Sequence, residues 1–194
     1  MEAGREPTSQ EVAWACEQAT VDARRLATLL AGHGLEDGAR IAAYGVNSDA
    51  YLIAFLATSR AGYIHVPVNY ALTGGELEYL LTDSGASLVL VDPAQAPTLE
   101  AVLGDLPALT SLALQPAAGE APDGTVLGTA LETGDVTPVD SLASGDDLAQ
   151  LLYTSGTTSR PKGAMMTHSA LVHEYLSCIL ALDLTAVVEP LVTM

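Results

Sequence analysis

Short apolar runs closed by glycine, proline or asparagine alternate with segments of helical period through the first half of the chain. Thr8-x-x-Glu11 has the spacing of a capping box, and Trp14, Val21, Leu26, Leu29 and Leu30 give the helix behind it an apolar stripe that Gly32 and Gly34 end. Residues 40–44 read as a short buried strand closed by Gly45 and Asn47. Ser48 is placed to cap a second helix over about 49–60, with Gly62 past its end. Residues 63–66 form the next expected strand, which Pro67 and Asn69 close. A second capping box, Thr73-x-x-Glu76, opens a helix through Leu77, Leu80 and Leu81. Residues 87–91 are almost wholly apolar, as in strands buried on both faces of a parallel sheet. The alternation predicts an α/β fold with a largely parallel sheet. No G-x-G-x-x-G follows any of these strands, so a dinucleotide-binding domain is unsupported.

The pattern weakens in the middle. From 93 to 147 proline, alanine, glycine, aspartate and threonine accumulate, with a helix expected around 99–103 and a strand at 109–114. Residues 115–147 read as loop-rich. Asp135, Asp140, Asp146 and Asp147 raise a metal site, but they lack the regular alternation of a calcium loop and suit a solvated linker better. Beyond them, Thr167 or Ser169 is placed to cap a helix whose stripe is Leu171, Val172, Tyr175, Leu176, Ile179 and Leu180. His65 lies inside a strand with nothing near it in sequence to orient it for catalysis, so a packed, hydrogen-bonded ring is expected. His168 and His173 are expected to be structural.

Composition narrows the class. A chain of 194 residues with 49% hydrophobic and 16% charged residues can bury a real core. Its formal net charge of −17 argues against nucleic acid or an anionic membrane as partner. Cys16 and Cys178 stand far apart without metal-ligand spacing and are expected as reduced thiols buried in helices. With no apolar leader region and no apolar stretch of bilayer length, a cytoplasmic location is expected.

The candidate chemistry sits at 151–163, Leu-Leu-Tyr-Thr-Ser-Gly-Thr-Thr-Ser-Arg-Pro-Lys-Gly. An apolar lead-in reads as a buried strand, the Thr/Ser/Gly run as the loop that leaves it, and the segment after the loop as a helix. Backbone N–H groups and hydroxyls in such a loop can hold phosphate oxygens. Lys162 is the only lysine in a chain with 24 acidic residues, which places an anion beside it. A Walker loop is excluded, because Pro161 precedes the lysine and Gly163 follows it.

The run from Tyr153 through Gly163, continued to His168, resembles the phosphate-binding signature of the acyl-adenylate-forming (AMP-binding) enzymes, closest to the acyl-CoA synthetases; Ser159 stands where glycine is commoner. Upstream, Asn47-Ser-Asp, Ala61-Gly62, Val66-Pro67-Val-Asn69, Glu76 and Asp83-Ser-Gly-Ala86 resemble the N-terminal subdomain of the same enzymes. The resemblance implies joining of a carboxylic acid, fatty or other, to ATP, release of pyrophosphate, and transfer of the acyl group to a thiol such as coenzyme A. It implies that Thr154, Ser155, Gly156, Thr157 and Thr158 wrap the nucleotide phosphates, that Lys162 offsets their charge, that Mg²⁺ bridges them with Thr158 beside it, and that Gly163 lets the loop move.

Proteins of that family run several hundred residues past the signature, so the chain reads as a truncated N-terminal adenylation domain over 1–194 without the small C-terminal domain. With its one lysine in the loop, no second lysine can serve the adenylation step. The expectation is a fragment inactive alone, with no catalytic residue of its own. The alternatives are a non-catalytic remnant or interaction module, or half of a split enzyme completed by another chain.

Overall fold

Strand β1 (Arg40–Gly45) is buried at every residue but its first, which puts it at the centre of the sheet. The computed structural model describes residues 8–116, 124–132, 143–154 and 160–182. In chain order the remaining elements are α1 (Ser9–Ala31), α2 (Asp49–Arg60), β2 (Ile64–Asn69), α3 (Gly74–Ser84), β3 (Ala86–Val91), α4 (Ala96–Leu103), β4 (Thr110–Ala113), α5 (Val126–Glu132), β5 (Leu148–Thr154), β6 (Lys162–Thr167) and α6 (His168–Ala181). The sheet runs β4-β3-β1-β2-β5-β6. Every neighbouring pair is parallel except β5 and β6, which are antiparallel.

Side chains alternate across the sheet with the period of two that strands impose. Ile41, Leu88 and Leu90 face a core built with Leu26 and Leu30 of α1, Ala54 and Ala57 of α2, and Val126 and Ala130 of α5. Ala42, Tyr44, Val66, Val68, Val89 and Val91 face the opposite core, shared with Leu77, Leu80 and Leu81 of α3 and Leu99 and Val102 of α4. Ser48 caps α2, its hydroxyl accepting from the Tyr51 N–H at 3.1 Å. Gly85 ends α3 in the left-handed region, at φ 64°, which an L side chain resists.

Several expectations are corrected. Pro67 does not close β2 but sits inside it, opposite Ala43 of β1. The Ile64 N–H donates toward the β1 side, so the missing donor at residue 67 falls on the β5 side, where β2 and β5 pair at His65 and Gln150. Thr73 precedes α3 without a side-chain cap; the Glu76 N–H takes the Thr73 carbonyl instead. Trp14 is 64% exposed, outside the stripe that buries Leu26 and Leu30, and the Glu11 side chain lies outside the described residues. The 115–147 segment contains α5, which the Thr125 hydroxyl caps by accepting from the Gly128 N–H. Cys178 is exposed and Cys16 half-buried, although both are helical. On α6 only Leu171 of the expected stripe is buried, while Val172, Tyr175, Leu176 and Leu180 are exposed. No described helix is long and apolar enough to cross a membrane.

Candidate functional site

In a parallel sheet, ligands gather beyond the carboxyl ends of the strands. Here β1 delivers Asn47 and Ser48 to that edge, β3 delivers Asp92, and β5 delivers Thr154. Asp92 is buried and holds the edge together, accepting from the Val46 N–H at 3.1 Å and the Gln115 side-chain N–H at 2.9 Å. Gly45 packs against that carboxylate so closely that a Cβ there would run into it.

The chain leaves β5 at Thr154 and returns on β6 at Lys162, and the two residues are register partners across the neck of the loop. Both are exposed at this edge. Ser155, Gly156, Thr157 and Thr158 lie outside the described residues. The segment that follows the loop is β6 rather than the expected helix, which starts only at His168 with the Thr167 hydroxyl accepting from the Ala170 N–H. Gly163 belongs to this strand, under Tyr153, where an added Cβ would stand 3.2 Å from ring carbons. Its lack of a side chain serves that close approach.

Helix α3 fastens both sides of the neck. The Tyr153 hydroxyl donates to Asp83 at 2.7 Å, and the Tyr79 hydroxyl donates to the Pro161 carbonyl at 3.1 Å. The Arg160 guanidinium lies 5.1 Å from the Tyr79 ring centroid, in cation–π range. Desolvation, then the neighbouring Asp83 carboxylate, pushes the Tyr153 phenol far up from its usual range. Desolvation and Asp83 also raise the Tyr79 phenol, against the opposing pull of Arg160. Tyr79 and Asp83 lie four residues apart on one helix face, the one signal in the sequence that they share a task. Their partner is 70 to 82 residues away and has no local signature.

On the α2 side of the sheet lies a cavity of about 290 Å³ floored by His65 and Pro67 and walled by Tyr51, Phe55 and Tyr175. His65 is 1% exposed, with the Tyr51 and Phe55 rings edge-on to it at centroid distances of 5.9 and 5.1 Å. Burial lowers its pKa to about 4, so the ring is neutral at pH 7. Its Nδ1 has no hydrogen-bond partner among the described residues, against the expectation of a hydrogen-bonded ring.

His173, His168 and Asp147 make local contacts around the start of α6. His173 Nδ1 lies 2.7 Å from the Ser169 carbonyl within α6. The Asp147 carboxylate accepts from the Ser144 N–H at 2.6 Å, which lowers its pKa, and the Asp147 carbonyl accepts from the His168 N–H. This turn seats the start of α6. Asp135 and Asp140 lie outside the described residues, and no cluster of three His, Cys, Asp or Glu occurs among those described.

Residues 6–191 match the family model described as "AMP-binding enzyme". The chain is 36% identical over 162 residues to a feruloyl-CoA synthase of an Amycolatopsis species, covering 84% of this chain and 30% of that protein. It is 35% identical over 147 residues to a 4-hydroxybenzoate–CoA/benzoate–CoA ligase of Rhodopseudomonas palustris, covering 75% of this chain and 27% of that one. The crystal structure of ATP-bound MatB from Rhodopseudomonas palustris superposes with a TM-score of 0.67 at 34% identity, over 83% of this chain and 31% of that one. The chain therefore spans about 30% of the length of the relatives it matches.

Proposed function

The chain belongs to the AMP-binding enzyme family, and from that premise we propose that it is the nucleotide-phosphate-holding part of a carboxylic acid–coenzyme A ligase. The observation that carries this reading is the β5–β6 neck, which sets Thr154 opposite the only lysine of the chain at the carboxyl edge of a parallel sheet. A carboxylate is a poor nucleophile toward a polyanion, so phosphate charge must be offset and the reactants aligned. In this reading Thr154, Ser155, Gly156, Thr157 and Thr158 hold phosphate oxygens through N–H groups and hydroxyls, and Lys162 offsets the charge of the departing pyrophosphate. Mg²⁺ would accompany the phosphates, with the Thr158 hydroxyl beside it, and supply further charge neutralisation. A carboxylate oxygen attacks the α-phosphorus, the bond to pyrophosphate breaks, and coenzyme A thiolate then displaces AMP from the acyl carbon. Two of the relatives above are named for aromatic acids, which supports a carboxylic acid as the substrate class.

The exposed face of α6, with Val172, Leu176 and Leu180, favours a second reading in which this part works only when further polypeptide covers it. Turnover by the chain alone is not expected; acyl-adenylate made by the purified chain would overturn that point. The primary test is calorimetric titration of the chain with ATP and Mg²⁺, beside Lys162→Ala. Binding that weakens at least about tenfold in the variant supports the reading. Equal affinities would remove Lys162, and with it the reading of the loop.

A further inference from the structure

Arg160 and Lys162, two of the seven lysine and arginine residues of the chain, stand two positions apart where the loop rejoins the sheet. Their Cα atoms are at most about 7 Å apart, the reach of two extended residues. Both side chains are exposed. From 148 to 182 the only other charged side chain is Glu174, in a chain of net charge −17. Positive charge therefore collects at the β5–β6 neck.

Arg160 is held there by an aromatic face. Its guanidinium carbon sits over the Tyr79 ring, 5.1 Å from the centroid. The ring is itself fixed, because the Tyr79 hydroxyl donates to the Pro161 carbonyl. Asp83, one turn further along α3, accepts from the Tyr153 hydroxyl instead of pairing with the arginine. Among the described residues Arg160 has no ion pair and no hydrogen-bond acceptor. A cation seated on a ring keeps its N–H donors for another acceptor, and arginine presents them as a fork that matches phosphate. Being held beforehand also lowers the rotamer entropy that a long side chain loses on binding. Pinning the neck does not require this stack, since the Pro161 hydrogen bond already ties the same point to α3.

We propose that Arg160 is a second phosphate-binding cation of this site, positioned by Tyr79, and that it grips the pyrophosphate part of the nucleotide together with Lys162. The inference rests on the nucleotide-phosphate reading above and adds a residue that this reading leaves out. Two cations offset more of the charge that builds on departing pyrophosphate than one does. The arginine fork also fixes the direction of the phosphate chain, which a point charge cannot do.

The test is calorimetric titration of the chain with ATP and, separately, with inorganic pyrophosphate, each with Mg²⁺. Arg160→Gln should weaken both ligands about tenfold, the weight of one charge-assisted bond. Its midpoint of urea unfolding should stay close to that of the unsubstituted chain, because the side chain is exposed. Arg160→Lys keeps the charge without the fork and should fall between the two. Tyr79→Leu should weaken pyrophosphate binding beyond Tyr79→Phe, since only the leucine variant loses the ring. Unchanged affinities in Arg160→Gln, pyrophosphate binding unchanged while ATP binding falls, a lysine variant as weak as the glutamine one, or equal effects of Tyr79→Leu and Tyr79→Phe would each overturn the proposal. Affinity lost in Lys162→Ala but kept in Arg160→Gln would overturn it and leave the nucleotide reading standing. No binding of either ligand by the unsubstituted chain would overturn both.

Discussion

The Tyr79 hydroxyl donates to the Pro161 carbonyl at 3.1 Å, so a residue of α3 fixes the point where the loop rejoins the sheet. Tyr79→Phe removes this bond and keeps the ring under Arg160. Urea unfolding should show a small loss of stability, the loss of one hydrogen bond, and ATP affinity should fall with it. An unchanged affinity beside a lowered stability would show that the bond holds the fold without setting the loop.

His65 makes stability fall in mild acid. Its folded pKa of about 4 lies below the ordinary value of 6.5, so the unfolded chain binds the proton more readily. The contribution is present above pH 6.5 and is lost as the pH falls toward 4. Between pH 7 and pH 4.5 the loss should be about 2–3 kcal/mol. The measurement is the difference in unfolding free energy between the chain and His65→Phe at both pH values. A difference that does not change with pH would mean that the ring is not held neutral.

Tyr153 acts at the other end of the scale. Its folded pKa is raised, chiefly by desolvation and then by Asp83, so its contribution is fully present below the ordinary value near 10 and is lost as pH rises from there through the raised folded value. An ultraviolet titration should find the Tyr51 and Tyr153 phenols ionising well after the rest, and Asp83→Ala should bring only Tyr153 back toward the ordinary range.

Gly45→Ala should cost about 1–3 kcal/mol, because its methyl group displaces a buried Asp92 carboxylate that holds Val46 and Gln115. In an Asp92→Ala background the same change should cost much less. Additive effects in this double-mutant cycle would show that the two positions do not contend for the same space.

Leu30→Ala removes a side chain with no exposure between α1 and the sheet, and should cost about 2–5 kcal/mol by denaturant titration. Trp14→Ala on the same helix, at a largely exposed position, should cost far less.

What was legible in the sequence was local. Ser48 capping α2, Gly62 past its end and the apolar run of β3 each carry their signal within a few residues, and the α/β sheet follows from their alternation. The Thr/Ser/Gly run at 154–159 stood out in the sequence for the same reason. What failed to show was set by distant partners. β6 has few strand-favouring residues and exists because β5 pairs with it, so 162–167 had no pattern of its own. Pro67 reads as a strand end until its missing N–H is seen to face a side where little pairing is required. Tyr79 and Asp83 lie in plain view on α3, but nothing near them names Tyr153 or Pro161. The face of α6 has the right period for burial, and no described element covers it.

The junction between β2 and β5 has a kinetic consequence. It joins segments some 85 residues apart at the pairing of His65 with Gln150, whereas β5 and β6 are joined along their whole length by a short hairpin. Long-range pairing carries the heavier loop-closure entropy, and such seams open at lower free energy than the body they join. The β5–β6 hairpin should therefore be a foldon of its own, docking last during folding. Amide exchange would then run faster in this hairpin than in β1 and β3, making the edge where Thr154 meets Lys162 the last part of the sheet to form and the first to open.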